Sequence, residues 1–220
     1  MLQSKFSSVW TDGRKVYTQN LVPGLSVYGE KRISENGKEF REWNPFRSKL
    51  CAGICKGLKE FPFASGQKIL YLGAAEGTTL SHVSDIVGKS GVVVGVDISP
   101  TVMRKLLLLA EQRENIFPLL ADANQPLLYP SEIREMQFDG LVQDVSQKNQ
   151  AEIFLKNAKL LKEGGFGLLA VKARSISPSL SPQKVFEGEV SKLNEMFNVI
   201  QTVPLAPFES DHLLVHCRRK

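Results

Sequence analysis

Residues 68–79 read KILYLGAAEGTT, and this stretch decides the fold. Residues 68–72 form a short apolar run typical of a buried strand, residues 73–77 form a loop of small residues, and a helix is predicted at residues 78–87. Glycine lets a ligand approach the backbone closely, and amides at a helix N-terminus can bind a polar or anionic group. The loop favours a ligand site, although a tight turn alone explains a lone loop of this kind equally well.

Strand and helix alternate through most of the remaining chain. Further strands are predicted at residues 91–96, 116–120, 138–142 and 166–171, with helices from Ser99-Pro100, at residues 149–161 and at residues 182–197. Such alternation is typical of a parallel sheet with helices on both faces. The last two strands, residues 199–203 and 213–217, have no helix between them and should pair antiparallel. The sequence therefore predicts an α/β fold with a Rossmann-like, mostly parallel sheet.

The first 43 residues have a different pattern, which predicts a small N-terminal β domain. Asp12-Gly13 and Asn36-Gly37 are hairpin turn signals, the second of them between predicted strands at residues 26–33 and 39–43. So small a sheet has little core of its own and should lean on residues 44–220. Asn44-Pro45 is predicted to open a helix, with Asn44 as N-cap and with Phe46, Leu50, Ile54 and Leu58 as its buried stripe. Arg47 and Lys49 lie off that stripe.

Composition excludes several classes of protein. The chain has 220 residues, 28 Lys and Arg against 23 Asp and Glu, and 42% hydrophobic residues. That apolar fraction suits a packed core and not a disordered chain. No apolar run is long enough to cross a bilayer, and the N-terminus lacks the apolar segment of a signal peptide, so no membrane association is expected. A net charge of +5 permits an anionic partner without requiring one.

Cysteine usage indicates a reducing compartment, so we expect a cytoplasmic protein. Cys51, Cys55 and Cys217 cannot make a disulfide framework. Cys51 and Cys55 are interpreted as small buried hydrophobes, because no partners stand at zinc-ligand spacing, and no metal site is predicted.

Polar residues follow the predicted parallel strands where each strand ends, and ligands bind beyond the carboxyl ends of such strands. The glycine loop follows the first strand, Asp97 the second, Asp122 the third, Asp144 the fourth and Lys172 the fifth. Asp97 stands where a carboxylate would hold ribose hydroxyls, which fits either a dinucleotide or S-adenosylmethionine. The loop is not GxGxxG, which weakens the dinucleotide interpretation.

Asp144 and Lys172 are the stronger signal. Each follows a buried apolar run, where a charge is costly unless it is paired or used. A buried ion pair would explain them structurally. Methyl transfer to a hydroxyl would explain them functionally, because a lysine near a second positive charge can act as a base. Lys49 is a candidate for that second charge.

The three histidines are interpreted separately. His82 falls inside a predicted helix and is expected to be a packing or surface residue, and His216 in the final strand is expected to be structural. His212 begins that strand, so it can face the same rim as Lys172, although a surface histidine explains it as well.

At this point the sequence resembles the archaeal fibrillarin-like RNA 2′-O-methyltransferases. The matching segments run in family order over residues 26–216, and their combination is specific although each piece alone is not. They are YGEK at residues 28–31, REWNPFRSKL at 41–50, ILYLGAAEGTT at 69–79, SHV at 81–83, ADAN at 121–124, DV with Gln147 and NQAE at 144–152, KARS at 172–175 and PFESDH at 207–212.

The resemblance implies a class I methyltransferase domain at residues 44–220 behind the N-terminal β domain at residues 1–43. It also implies a catalytic set that falls on Lys49, Asp144, Lys172 and His212. Contacts to S-adenosyl-L-methionine fall, by the same matching, on Gly73, Thr78, Thr79, Asp97, Ile98, Asp122, Ala123, Asp144 and Gln147. The family usually has Glu and an aromatic residue where this chain has Asp97-Ile98. Asp97 can still hold ribose hydroxyls, whereas Ile98 removes one stacking surface for adenine.

The resemblance further implies an enzyme that does not select its own target. A box C/D guide RNA would choose the nucleotide in rRNA or tRNA, and the enzyme would dock on a Nop-type scaffold beside a kink-turn-binding ribosomal protein. Three alternatives remain: a nicotinamide-dependent oxidoreductase, a small-molecule O-methyltransferase, and a catalytically silent subunit of the RNP. The complete Lys-Asp-Lys-His set argues against the last.

Overall fold

A computed structural model describes residues 1–220 and contains two sheets. The first is antiparallel, has five strands in the order β1-β2-β3-β5-β4, and ends at Trp43. Its strands are β1 (Gln3–Phe6), β2 (Val9–Thr11), β3 (Val16–Gln19), β4 (Arg32–Glu35) and β5 (Lys38–Trp43). The predicted hairpins at Asp12-Gly13 and Asn36-Gly37 are both present, whereas β1 was not predicted. The division of the chain into domains between residues 43 and 44 stays a prediction.

The second sheet has seven strands in the order β11-β12-β10-β9-β6-β7-β8, which confirms the Rossmann-like prediction. Its strands are β6 (Lys68–Leu72), β7 (Val92–Asp97), β8 (Ile116–Leu120), β9 (Phe138–Gln143), β10 (Leu161–Lys172), β11 (Phe197–Pro204) and β12 (His212–Arg219). β12 pairs antiparallel with both β10 and β11, and the other pairings in this sheet are parallel. The carboxyl ends of β6 to β10 therefore meet along one edge.

Helices cover both faces of this sheet. They are α1 (Lys49–Cys55), α2 (Thr78–Val87), α3 (Pro100–Gln112), α4 (Ser131–Arg134), α5 (Gln150–Ala158), α6 (Ala173–Ile176) and α7 (Pro182–Leu193). Alternate residues of a strand point to opposite faces, so Ile69 and Tyr71 of β6 join one buried cluster with α1, α2 and α3. Leu70 and Leu72 join the other cluster, with α5 and α7. None of the helices has the length and apolar character needed to cross a membrane.

The N-terminal sheet is fastened to α2 by a buried ion cluster. Asp85 lies between two guanidinium groups, with Arg41 Nη1 2.8 Å from its Oδ2 and Arg113 Nη1 2.6 Å from its Oδ1. Arg41 also donates from Nε to Glu30 Oε1 at 2.5 Å. The side chain of Arg41 is fully buried in this cluster.

His82 extends the same contact, and it is a packing residue as predicted. Its Nδ1 lies 2.7 Å from Thr18 Oγ1 and its Nε2 lies 2.7 Å from the Tyr28 hydroxyl. The imidazole stacks on Trp43 with ring centroids 4.9 Å apart. Burial, followed by the charges of Arg41 and Arg113, holds the pKa of His82 well below its ordinary value. His216 is also buried, in agreement with its predicted structural role.

Several predicted boundaries are wrong. Asn44 does not cap a helix, because its Oδ1 accepts a bond from Phe46 N at 2.8 Å and closes a turn, while Ser48 caps α1. Phe46 is consequently 64% exposed and is not part of a buried stripe. The segment before residue 32 is not a strand, and the predicted helices at residues 149–161 and 182–197 end earlier, at Ala158 and Leu193. The strand predicted at residues 166–171 begins earlier, at Leu161, so that Gly164 and Gly165 lie within β10.

Candidate active site

Asp144 and Lys172 meet where two neighbouring strands end. Asp144 follows β9, and its amide continues the ladder by donating to Leu72 O at 2.9 Å. Lys172 closes β10, and its Nζ lies 2.7 Å from Asp144 Oδ1. The same ammonium also lies 3.1 Å from Asp144 O and 3.1 Å from Ser146 Oγ. Lys172 is therefore a hydrogen-bond donor in a fixed position.

Lys49 reaches Asp144 from the opposite side. It is the first residue of α1, whose start is fixed by Ser48 Oγ accepting from Cys51 N. The Nζ atom of Lys49 lies 3.1 Å from Asp144 Oδ2 and 3.4 Å from Glu209 Oε1. One carboxylate thus lies between two ammonium groups, each of which is less than one-fifth exposed. Only the tertiary fold brings the start of α1 to the strand ends.

His212 lies beside Lys172 on the same face of the sheet. The two residues are directly opposite in the antiparallel pair of β10 and β12, so their side chains project from one side. His212 Nδ1 lies 2.6 Å from Ser210 O. A carbonyl can only accept, which assigns the proton of the neutral ring to Nδ1 and leaves Nε2 as an acceptor. The structure therefore brings the predicted Lys-Asp-Lys-His set to one rim.

Sequence reasoning gave no role to Glu209, which belongs to this group by position. Its two carboxylate oxygens lie 3.4 Å from Lys49 Nζ and 3.9 Å from His212 Nδ1. The position of Glu209, three residues before His212, was the one sequence signal that could have indicated its place in the site. Its partner Lys49 is remote in sequence, so the ion pair was not predictable.

A cleft of about 340 Å³ opens beside Asp144 at the carboxyl edge. Asp97 lies in its wall, with Oδ2 accepting from Ala75 N at 2.9 Å and Oδ1 from Ser99 N at 3.0 Å. Each oxygen keeps a further lone pair for a ligand hydroxyl. Six of the residues predicted to contact the methyl donor line this cleft: Gly73, Asp97, Ile98, Ala123, Asp144 and Gln147.

The other three predicted contacts lie elsewhere. Thr78 and Thr79 line a second cleft of about 320 Å³ that shares Gly73 and Asp144 with the first. Asp122 holds its own turn, accepting from Asn124 N at 2.8 Å and from Gln125 Nε2 at 3.1 Å. These bonds, that from Asn124 first, hold the pKa of Asp122 below its ordinary value.

The glycines of the loop are required by the protein's own packing. Gly73 has φ +77°, and a Cβ there would lie 2.6 Å from Asp144 O. Gly77 has φ +87°, and a Cβ there would lie 2.5 Å from Leu109 Cδ2. The interpretation that glycine serves ligand approach is thus incomplete, because these glycines also let the loop lie against β9 and α3.

Comparison with known proteins gives a consistent result over the whole chain. Residues 2–220 match the family model described as Fibrillarin. The chain is 47% identical over 221 residues to the fibrillarin-like rRNA/tRNA 2′-O-methyltransferase of Sulfurisphaera tokodaii, covering 99% of this chain and 94% of that protein.

Two solved structures extend the likeness to the fold. A fibrillarin of Aeropyrum pernix in complex with natively bound S-adenosyl-L-methionine superposes with a TM-score of 0.88 at 42% identity, covering 99% of both chains. A fibrillarin/Nop5p complex superposes with a TM-score of 0.90 at 36% identity, covering 99% of this chain and 100% of that one. On its sequence, its fold and the arrangement of its strand-end residues, this chain belongs to the fibrillarin family.

Proposed function

We propose that this protein transfers a methyl group from S-adenosyl-L-methionine to a ribose 2′-hydroxyl of RNA. The observation that carries the proposal is the placement of Asp144 between the ammonium groups of Lys49 and Lys172, beside the cleft that holds Asp97. The relative from Sulfurisphaera tokodaii is named for this reaction on rRNA and tRNA, which supports the same substrates here.

The residues of the cleft fit the methyl donor. Gln147 Oε1 is buried there without a hydrogen-bond partner, so it would accept from a donor group of the ligand. The Asp97 carboxylate would hold the ribose hydroxyls, while Ala123 and the half-exposed Ile98 would offer apolar surface to the base. Thr78 and Thr79, at the start of α2, would receive the polar amino-acid end.

S-adenosyl-L-methionine supplies an already activated methyl group, so the protein has to orient the hydroxyl and manage its proton. Lys172 Nζ, already a donor to Asp144 and Ser146, would hold the 2′-oxygen in place for in-line attack. Asp144 would stabilise the positive charge that develops on that oxygen as the new bond forms. The proton would leave to an acceptor at the rim, for which Asp144 and His212 Nε2 are available. Such orientation and electrostatics supply most of the rate.

Lys49 would have two roles in the catalytic set. Paired with both Asp144 and Glu209, it would fix the Asp144 carboxylate from the side opposite Lys172 and offer a positive charge to the target phosphate.

The protein would act as a subunit and would not choose the nucleotide. Its likeness to the fibrillarin of a Nop5p complex supports a Nop-type scaffold as partner. The family resemblance supports two further partners. A box C/D guide RNA would select the nucleotide, and a kink-turn-binding ribosomal protein would lie beside the enzyme. One assay distinguishes this proposal from the two alternatives, a small-molecule O-methyltransferase and a catalytically silent subunit.

That assay measures transfer of labelled methyl from S-adenosyl-L-methionine to a guide-matched RNA. It uses this protein assembled with the scaffold, the kink-turn protein and a box C/D RNA, with a mismatched RNA as control. Label confined to the guided 2′-hydroxyl, where it blocks alkaline cleavage of the next phosphodiester, supports the proposal. Absence of label in a complex that has assembled and binds the methyl donor contradicts it.

A further inference from the structure

An aromatic pair lies at the rim of the Lys49–Asp144–Lys172 cluster, with Phe46 exposed and Phe208 partly buried against the core. Phe46 and Phe208 meet edge to face with ring centroids 5.1 Å apart and an interplanar angle of 74°. Phe46 precedes α1 by three residues, and Phe208 is the neighbour of Glu209. The two segments that deliver Lys49 and Glu209 to Asp144 therefore each carry a ring, and Phe46 leaves 64% of its surface exposed.

The segment that carries Phe46 is held in place by its own contacts. Asn44 accepts from Phe46 N through Oδ1 at 2.8 Å and from Arg47 N through its carbonyl at 3.1 Å. The Arg47 guanidinium lies 5.1 Å from the centre of the Tyr28 ring. The ring of Phe46 is thus presented outward on a fixed turn, where a ligand can reach it.

Unpaired positive charge lies next to this pair. Arg47 and Lys31 line a cleft of about 300 Å³ between the N-terminal sheet and residues 44–47. The other charged groups there are matched, since Lys15 pairs with Glu42 at 2.7 Å and Glu30 pairs with Arg41. Arg47 and Lys31 are both exposed and neither takes part in an ion pair. The cleft thus offers two free cations, which suits a phosphate.

We propose that Phe46, Arg47 and Lys31 form a contact surface for the RNA strand that carries the target nucleotide. The inference rests on the proposed function and adds the residues that hold its substrate. The ring of Phe46 packs against the target nucleotide or its neighbour, and the two cations bind the adjoining phosphates. Phe46, Arg47 and Asp144 all line the second cleft, so a nucleotide packed against the exposed ring of Phe46 lies near the cluster and leaves the part of that cleft beside Thr78 and Thr79 to the methyl donor.

The chemistry of this surface suits a substrate chosen by something other than the enzyme. An aromatic ring accepts any base or sugar, and phosphate contacts carry no sequence information. A protein partner is the competing occupant of this surface. A different surface, which is more apolar and also has cationic neighbours, suits a protein partner better. There Leu127 and Leu128 are 79% and 76% exposed beside Lys156 and Lys159.

The first test is positional. A guide-matched RNA with 4-thiouridine at the target position, or at either neighbouring position, is irradiated in the assembled complex, and crosslinked peptides are identified by mass spectrometry. We expect the crosslink on the peptide that contains Phe46. Crosslinks confined to other surfaces of this protein overturn the inference.

The second test is kinetic and uses matched controls. Base stacking contributes about 1–3 kcal/mol, so Phe46→Ala should lower single-turnover methylation at subsaturating RNA by about 5- to 100-fold. The Arg47→Ala/Lys31→Ala double variant should act in the same direction. All variants are assayed with the methyl donor at saturation, because Phe46 and Arg47 line the same cleft as Thr78 and Thr79. Phe117→Ala and Lys89→Ala remove an exposed ring and an exposed cation elsewhere, and both should match the wild type. Phe46→Leu keeps an apolar contact with Phe208 and serves as a folding control.

The outcomes separate the two proposals. A wild-type complex that transfers no methyl group contradicts the proposed function, whatever the variants do. An active wild type whose Phe46 and Arg47/Lys31 variants methylate normally contradicts this inference alone. Variants that fail to enter the complex on a native gel would assign the surface to a protein partner, which also overturns it.

Discussion

Replacing Asp85 by asparagine removes the carboxylate that pairs with both buried guanidinium groups, those of Arg41 and Arg113. Asp85 accepts from Leu21 N and Arg113 Nη1 through Oδ1, at 2.9 and 2.6 Å, and from Thr18 Oγ1 and Arg41 Nη1 through Oδ2, both at 2.8 Å. An asparagine amide can present its oxygen to only one of these pairs, so its NH₂ group must face a guanidinium in the other. Breaking a buried ion pair by removing one partner costs about 3–5 kcal/mol.

The measurement is the free energy of unfolding from urea titration, followed by circular dichroism. Glu76→Gln is the control, because its ion pair with Lys105 is exposed on both sides and such pairs contribute about 0–1 kcal/mol. We expect Asp85→Asn to lose about 3–5 kcal/mol. A loss below about 1 kcal/mol, equal to that of the control, would refute the claim that this cluster joins the N-terminal sheet to α2.

Three further predictions follow from individual contacts. Burial holds the pKa of His82 well below its ordinary value. Below about pH 6.5 the unfolded chain therefore gains a proton that the folded chain does not. The free energy of unfolding should consequently fall on acidification, by up to about 1.4 kcal/mol per pH unit. His82→Gln should flatten that slope in urea titrations between pH 7 and 5, and an unchanged slope contradicts it. Gly73→Ala should weaken binding of the methyl donor in calorimetry, because its Cβ would lie 2.6 Å from Asp144 O and displace that residue; wild-type affinity would be contrary to the packing argument. Asp144→Asn should lower the single-turnover rate by about 10²–10³-fold, because a neutral amide cannot balance two ammonium groups, and a loss under tenfold would argue against that role.

Local periodicity was sufficient for much of the second sheet. The strands at residues 68–72 and 116–120 and the helix at residues 78–87 have the predicted bounds. For residues 68–87 the reason is that an apolar strand and a periodic helix are separated by a glycine loop. The errors arose where two local signals compete. Asn44 uses its side chain for a turn while Ser48 takes the cap, and Leu161 continues the apolar pattern of α5 but begins β10.

The candidate site was predictable to the extent that topology gathers its residues. Asp97, Asp144 and Lys172 follow parallel strands, so a correct fold prediction brings them to one edge. Lys49 precedes that sheet and Glu209 lies between β11 and β12, and no short-range pattern shows that the two side chains meet at 3.4 Å. The residues alone made Lys49 a candidate for the second charge, and the resemblance to a family then placed it in the catalytic set.

We propose that the rim cluster performs the chemistry while the cleft beside it binds the methyl donor. Lys172→Ala in the assembled RNP tests it most directly, with single-turnover methylation and the dissociation constant for S-adenosyl-L-methionine measured on the same preparation. Loss of a positioned group at the reacting atoms costs about 10²–10⁴-fold, so transfer should fall by that factor while the dissociation constant stays within about twofold. Methylation at a near-normal rate would contradict the catalytic role of the rim cluster.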